Sequence, residues 1–167
     1  MARKLIIDCD NAFSIDGCDI DDGLAIIYAL AQKDVEVLGI STTFGNNKLD
    51  LIYPNTISFM KNIGHPEIPV FKGSEDSHED NEAARFLVEM AKKYEGDLSL
   101  LVLGSTTNLY HAWLLDNDFY RKIKVISLMG GITEPLIING KILNELNLSC
   151  NYRASLNVLE HGRNIII

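Results

Sequence analysis

Short apolar runs alternate with amphipathic stretches along this chain, and that alternation limits the folds open to it more than any other feature. "LII" (5–7), "VEVLGISTTFG" (35–45), "IPVFKG" (68–73), "LSLLVLG" (98–104) and "KVISLMGG" (124–131) read as buried strands. Helices are predicted between them, over 22–32, within 47–64, over 81–94, and from an N-cap at Ser105 or Thr106. In the first helix Leu24, Ile27, Tyr28, Leu30 and Ala31 are the expected apolar positions. Pro54 in the second is expected near a first turn or at a kink. A mixed loop follows residue 131, then a helix within 150–162, then "NIII" (164–167) as the start of a sixth strand. This spacing predicts an α/β fold with a mainly parallel, Rossmann-like, doubly wound sheet and helices on both faces. The 167 residues amount to one domain, 1–167.

Ligands on such sheets bind beyond the carboxyl ends of the strands. Asp8 and Asp10 follow the first strand; Thr42, Thr43, Gly45 and Asn46 follow the second; Gly73 and Ser74 follow the third. The fourth leads into residues 104–108, and the fifth into Gly130, Gly131 and a loop carrying Asn139, Glu145 and Asn147. Carboxylates, amides, hydroxyls and glycines at every strand end suit a polyhydroxylated small molecule and a hard cation.

The acids are concentrated in "LIIDCDNAFSIDGCDIDDGLAII" (5–27), which holds Asp8, Asp10, Asp16, Asp19, Asp21 and Asp22. Helix capping accounts for Asp21 and Asp22, since a helix N-terminus favours negative charge. It does not account for Asp8 and Asp10, because a strand end has no use for two acids. Converging carboxylates repel unless a cation holds them. Oxygen ligands without clustered His or Cys point to Ca²⁺ or Mg²⁺, and EF-hand spacing is absent.

Composition removes other classes. A net charge of -8 disfavours nucleic acid and anionic membranes as partners. No apolar run approaches the roughly 20 residues of a membrane span, and "MARKLIIDCD" reaches acids too soon for a signal peptide. Cys9, Cys18 and Cys150 form no CxxC pair and read as reduced, buried thiols, which suggests a cytoplasmic protein. His78, in the loop after the third strand, reads as a solvated residue.

Two families place acids after a first strand. Haloacid-dehalogenase-like phosphatases carry DxDx[TV] there, which would make Asp8 a nucleophile and Asp10 an acid in a Mg²⁺-dependent phosphohydrolase. Position 12 is Ala, however, and that pattern leaves Asp21 and Asp22 unexplained. The chain more closely resembles the inosine–uridine-preferring nucleoside hydrolases, whose signature is DxDPGxDD. Asp8 and Asp10 match its first half, and Asp21 and Asp22 its second, with Asn11 to Ile20 standing where three residues are usual. "TTFGN", "VLGSTTNL", "ISLMGG" and "NGKILNELNLSCNYRAS" are similar to the family's later segments, in order.

The resemblance implies calcium-dependent hydrolysis of the N-glycosidic bond of ribonucleosides, giving ribose and free base. By motif position it implies Asp10, Asp22 and the Leu103 carbonyl as Ca²⁺ ligands. Asp10 would also be the general base towards water. Asp21, Asn46, Asn139, Glu145 and Asn147 would bind the sugar, and Asp8 would support the metal site from behind. Family members are nearly twice this length, and their later region supplies a further calcium-ligating Asp. The short chain is therefore expected to be a fragment, to be completed by a partner, or to be an inactive ribose- or cation-binding relative. "NYRA" also replaces the family's acidic DPEA with Asn151 and Arg153. An apolar strand at 164–167 left as a sheet edge predicts self-association, most simply as a homo-oligomer.

Overall fold

The computed structural model describes residues 2–75, 81–138 and 140–167. Strand β1 (Arg3–Cys9) leads through a loop to helix α1 (Asp21–Ala31), followed by β2 (Val35–Thr42), α2 (Leu49–Asn62) and β3 (Val70–Lys72). Then come α3 (Glu82–Lys93), β4 (Leu98–Val102), α4 (Thr107–Leu115), the short α5 (Phe119–Lys122) and β5 (Ile123–Leu128). A hairpin of β6 (Leu136–Ile138) and β7 (Lys141–Leu143) precedes α6 (Tyr152–His161) and β8 (Ile165–Ile166).

Six strands form one parallel sheet in the order β3-β2-β1-β4-β5-β8. Each crossover runs through helix, as parallel neighbours require. Period-2 alternation splits the core between the two faces. Ile6 of β1 joins Leu100, Phe86, Leu87, Leu109 and Val158 beneath α3, α4 and α6. Ile7 and Cys9 face the other way, onto Ile26 and Ala29 of α1 and Phe59 and Met60 of α2. Each fully buried aliphatic side chain contributes about 1.5–3 kcal/mol, so the sheet is held from both sides. The expected doubly wound architecture is present. From β1 the order runs outward in opposite directions, which puts a crevice between the carboxyl ends of β1 and β4.

Several local expectations are corrected. Helix α1 buries Asp22, Gly23, Ile26 and Ala29, whereas Leu24, Ile27 and Tyr28 are exposed. Its sequence is apolar nearly all round, so periodicity alone did not choose a face. Pro54 lies in the second turn of α2, and the helix continues past it. Strands β2, β4 and β5 end two or three residues before the expected bounds, where the chain turns into the site. The antiparallel hairpin pairs Leu136 with Leu143 inside the stretch read as a mixed loop. Cys9 is buried, but Cys18 and Cys150 are only half-buried, and all three are free. Among the described residues no helix is long and apolar enough to cross a membrane. Strand β8 is a sheet edge, with Ile166 and Ile167 exposed.

Candidate active site

Asp8, the last residue but one of β1, has no exposed surface. In register it lies opposite Ser41 of β2 and Val102 of β4. The Ser41 hydroxyl donates to Asp8 Oδ2, and Asn108 Nδ2 donates to the same oxygen at 2.8 Å and to the Thr42 carbonyl at 3.0 Å. Asp8 Oδ1 is buried without a hydrogen-bond partner among the described residues. Burial pushes the Asp8 carboxyl up to about 7, against the pull of Ser41 and Asn108. A carboxyl so enclosed cannot reach a phosphate ester, so the structure removes Asp8 as a phosphohydrolase nucleophile. It braces β1, β2 and α4 behind the site.

Asp10 lies where the crevice opens and is 2% exposed. Its backbone N–H donates to Asp22 Oδ2 at 3.0 Å, and the Asn46 N–H donates to Asp10 Oδ2. Two glycines make room for its carboxylate. A Cβ on Gly104 would stand 2.6 Å from Asp10 Oδ1, and one on Gly45, at φ +152°, would stand 2.5 Å from Oδ2. Asp22 sits in the first turn of α1, and its carboxyl interacts directly with that of Asp10. Burial and then the Asp10 charge push Asp22 up to about 9, and burial raises Asp10 as well. The helix dipole favours negative charge at this terminus by roughly 0.3–1 kcal/mol, too little to offset that burial.

Leu103 follows β4, and its N–H donates to the Asp8 carbonyl at 2.8 Å. Its own carbonyl accepts from Asn147 Nδ2 at 2.7 Å, and the same amide nitrogen donates to the Met129 carbonyl at 2.9 Å. A carbonyl oxygen has two lone pairs, so one remains for a cation. Glu145 accepts the backbone N–H groups of Gly131, Leu148 and Ser149 at 3.4, 2.9 and 2.9 Å, and so shapes its own loop. Asp10, Asp21, Asp22, Asn46, Leu103, Glu145 and Asn147 all line one cleft of about 540 Å³. The structure therefore brings together every expected site residue except Asn139, which, like His78, lies outside the described residues.

The inserted loop folds back rather than projecting. Asn11 and Ala12 are fully buried. Asn55 Nδ2 donates to the Asn11 and Phe13 carbonyls at 3.0 Å each, and Phe13 packs on Phe59 with ring centroids 5.1 Å apart. A Cβ on Gly23 would meet Phe13 at 2.6 Å. The Asp19 N–H reaches Asn46 Oδ1 at 3.4 Å, which ties the loop to the rim.

Sequence reasoning missed Ser41, Asn144 and the apolar side chains that complete the cleft, and gave Asn108 and Asp19, though both were noted, no role of their own. A polar residue inside the apolar run "VLGISTT" was the available signal for Ser41. Asn151 caps α6 by accepting the Ala154 N–H at 3.2 Å and donates to Thr107 Oγ1 at 3.1 Å, which gives the departure at "NYRA" a structural use.

Could these residues hold a cation? No Lys, Arg or His lines the cleft, so the charge of Asp10 and Asp22 has no partner there among the described residues. Two buried carboxyls, both raised by burial and Asp22 also by the Asp10 charge, form with the Leu103 carbonyl of the same cleft an all-oxygen donor set that fits a hard divalent ion. Among the described residues no group of three or more His, Cys, Asp or Glu could hold a metal. The protein thus offers two carboxylates and a carbonyl, and water or ligand hydroxyls would fill the other positions.

Comparison with known proteins agrees with this geometry. A probable uridine nucleosidase 1 of Oryza sativa subsp. japonica is 30% identical over 157 residues, spanning 77% of this chain and 46% of that protein. A pyrimidine-specific ribonucleoside hydrolase of Escherichia coli (strain SE11) is 25% identical over 77% of this chain and 48% of that protein. Among solved structures, an inosine-guanosine nucleoside hydrolase superposes with a TM-score of 0.77 at 25% identity, covering 96% of this chain and 58% of that one. The chain spans about half the length of the curated relatives it matches. The model of the inosine-uridine preferring nucleoside hydrolases matches residues 5–167, and the chain belongs to that family.

Proposed function

We propose that this chain binds a ribonucleoside and hydrolyses its N-glycosidic bond, releasing ribose and free base, with calcium as the cation. Membership of the family implies a divalent metal. Calcium suits a flexible, oxygen-only site better than magnesium, which demands near-ideal octahedral geometry. The observation that carries the proposal is that Asp10 and Asp22, both buried and joined by the bond from the Asp10 N–H to Asp22 Oδ2, have no cationic side chain beside them among the described residues, at the mouth of the β1–β4 crevice.

Asp10, Asp22 and the Leu103 carbonyl would hold the ion. When bound, the cation polarises water and fixes the sugar's cis-diol. Asp10 takes the proton from the attacking water, a role for which a raised carboxyl is better matched near neutral pH. Asp21 and Asn46 accept and donate at the diol from the rim. Cleavage builds positive charge on the ribose ring, as in other glycoside hydrolyses, and the fixed carboxylate and amide oxygens stabilise it electrostatically. Asn147 ties the ends of β4 and β5 and keeps the Leu103 carbonyl aimed. By motif position Asn139 and Glu145 would bind the sugar on its 5′ side, and Asn147 would contact it as well. The three free cysteines suit a reducing, cytoplasmic setting, and the β8 edge is proposed as a self-association surface.

The test is calorimetric titration of chelator-treated protein with Ca²⁺, with and without ribose, followed by a reducing-sugar assay on inosine and uridine. Ca²⁺ binding strengthened by ribose, with sugar released from a nucleoside, is the expected result. Ca²⁺ and ribose binding without turnover would support the second reading, a binding relative. That reading is favoured by the two-carboxylate donor set. No Ca²⁺ binding would refute both.

A further inference from the structure

The loop of residues 11–20, which stands where three residues are usual in the family's motif, reaches the cleft at its far end. It is built from two chained turns. The Ile15 N–H donates to the Ala12 carbonyl at 2.9 Å, and the Cys18 N–H to the Ile15 carbonyl at 3.2 Å. Ser14 and Gly17, third in each turn, have φ of +74° and +78°, the sign that a type II turn asks of that position. The chain then lays Cys18 and Asp19 against the turn after β2. The Asp19 N–H donates to Asn46 Oδ1 at 3.4 Å, Cys18 Sγ to the Asn46 carbonyl at 3.7 Å, and Asn47 Nδ2 to Cys18 Sγ at 3.5 Å. From the other side the Asn46 N–H donates to Asp10 Oδ2. The N–H, the carbonyl and Oδ1 of Asn46 are thus committed, and Nδ2 alone has no hydrogen bond among the described residues.

We infer that Cys18 and Asp19 are positioning residues: they hold Asn46 with its amide nitrogen turned into the cleft, as a fixed hydrogen-bond donor to an oxygen of the sugar. The inference rests on the preceding reading of Asn46 as a residue that binds the sugar. An amide side chain can turn either end outward, but a backbone N–H can only donate, so the end that meets Asp19 is the oxygen. The nitrogen then points away from the loop, and Asn46 and Asp19 both line the cleft. A donor there complements the carboxylate of Asp21, which can only accept. A sugar hydroxyl takes a hydrogen bond from Asn46 Nδ2 and gives its own proton to Asp21. Without the loop the amide would rotate at the rim, and ordering it would weaken binding by about two- to tenfold. The loop moves that penalty into folding. Cys18 contributes a thiol that donates to residue 46 and accepts from residue 47, so it holds the turn at two points.

The experiment is calorimetric titration of the full chain with ribose at saturating Ca²⁺. It compares the parent with Cys18→Ala, Cys18→Ser, Asn46→Ala and the double variant Cys18→Ala/Asn46→Ala, each first shown by its melting curve to be folded. Cys18→Ala should weaken ribose about two- to tenfold. Cys18→Ser should recover most of that loss, because a hydroxyl can also donate and accept. In the Asn46→Ala background Cys18→Ala should cost nothing further, since it acts through Asn46. A loss that persists undiminished in that background would show that the loop only supports the fold and would overturn the inference. A Cys18→Ala variant that binds ribose as the parent does would overturn it too. Amide hydrogen exchange at Asp19 gives a readout without ligand: it should be about two- to tenfold faster in Asn46→Ala than in the parent. Equal exchange in the two would overturn the clamp even where ribose binds. Ribose that fails to bind the parent would refute the hydrolase reading, and with it the sugar as the partner of Asn46, while the exchange rates alone would decide the clamp.

Discussion

Asp22→Asn should make the cation-free protein more stable and deprive it of its response to calcium. Asp22 is 4% exposed, and its carboxyl is pushed up to about 9 by burial and by Asp10. The sign follows from linkage. The folded-state value lies above the unfolded one, so folding favours the protonated form. That stability is complete below the unfolded value and is lost as pH rises towards the folded one. At pH 7 an isolated acid so displaced would cost the fold about 4 kcal/mol. Relaxation around the charge and entry of water reduce that, and a net gain of about 2 kcal/mol on neutralisation is expected. Asn keeps an acceptor for the Asp10 N–H, which bonds Asp22 Oδ2 at 3.0 Å. For a domain of this size, 2 kcal/mol raises Tm by about 4–8 °C. Calcium at about a hundredfold over its Kd should stabilise the parent by about 2.7 kcal/mol and the variant hardly at all. Differential scanning fluorimetry in chelator and in millimolar Ca²⁺ reads both effects. A variant that melts below the parent in chelator, or that gains as much from Ca²⁺, would refute the assignment of Asp22 as a carboxyl that folding keeps protonated until a cation replaces the proton.

Asp10→Asn is expected to lower any nucleoside hydrolysis by about 10²–10⁴-fold and to weaken Ca²⁺ while leaving the circular dichroism spectrum unchanged; normal turnover would remove Asp10 as the base. Gly104→Ala would bring a methyl to 2.6 Å from Asp10 Oδ1 and 2.7 Å from Thr43 Cγ2, so a loss of about 1–3 kcal/mol in urea denaturation and weaker Ca²⁺ binding are expected together. In Ser41→Ala the buried Asp8 Oδ2 keeps only Asn108 as donor, with an expected loss of about 1–3 kcal/mol at pH 8. That loss should shrink towards pH 5, because Asp8, held at about 7, is then protonated. Melting curves across that range would show it.

The sequence made the crevice legible because its parts are local. Asp8 and Asp10 end an apolar run, Asp21 and Asp22 open a helix, and strand ends in a doubly wound sheet converge by rule. The bracing of Asp8 was not legible, because it joins residues 33 and 100 positions apart, Ser41 and Asn108, and no local pattern encodes such a pair. The buried face of α1 was misjudged because "LAIIYALA" is apolar in every direction. The packing of Phe13 against Gly23 and Phe59 settled which side turned inward. The β6–β7 hairpin escaped notice because each strand has three residues, too few for alternation to register.

The position of Asp10 shows what the fold contributes beyond its acids. A parallel sheet delivers strand ends to one edge, but side chains there compete for space with the backbones of neighbouring turns. Here the turns after β2 and β4 carry glycine at the two points nearest the carboxylate, Gly45 and Gly104. Without a Cβ, each backbone can approach an oxygen of Asp10, and the Asn46 N–H can donate to it. One carboxylate is thus fixed from two sides before any ligand arrives, while Asp22 is fixed by the Asp10 N–H. Preorganisation of this kind places the free-energy penalty in folding, where a two-sided core offsets it, and not in binding. It also accounts for the long insertion after Asp10. Seven extra residues between the paired acids would loosen their geometry if they were free. Buried Asn11 and Ala12, the Asn55 bonds and the Phe13–Phe59 contact anchor the loop at its start. The register from β1 to α1 then survives an interruption that would otherwise separate Asp10 from Asp22.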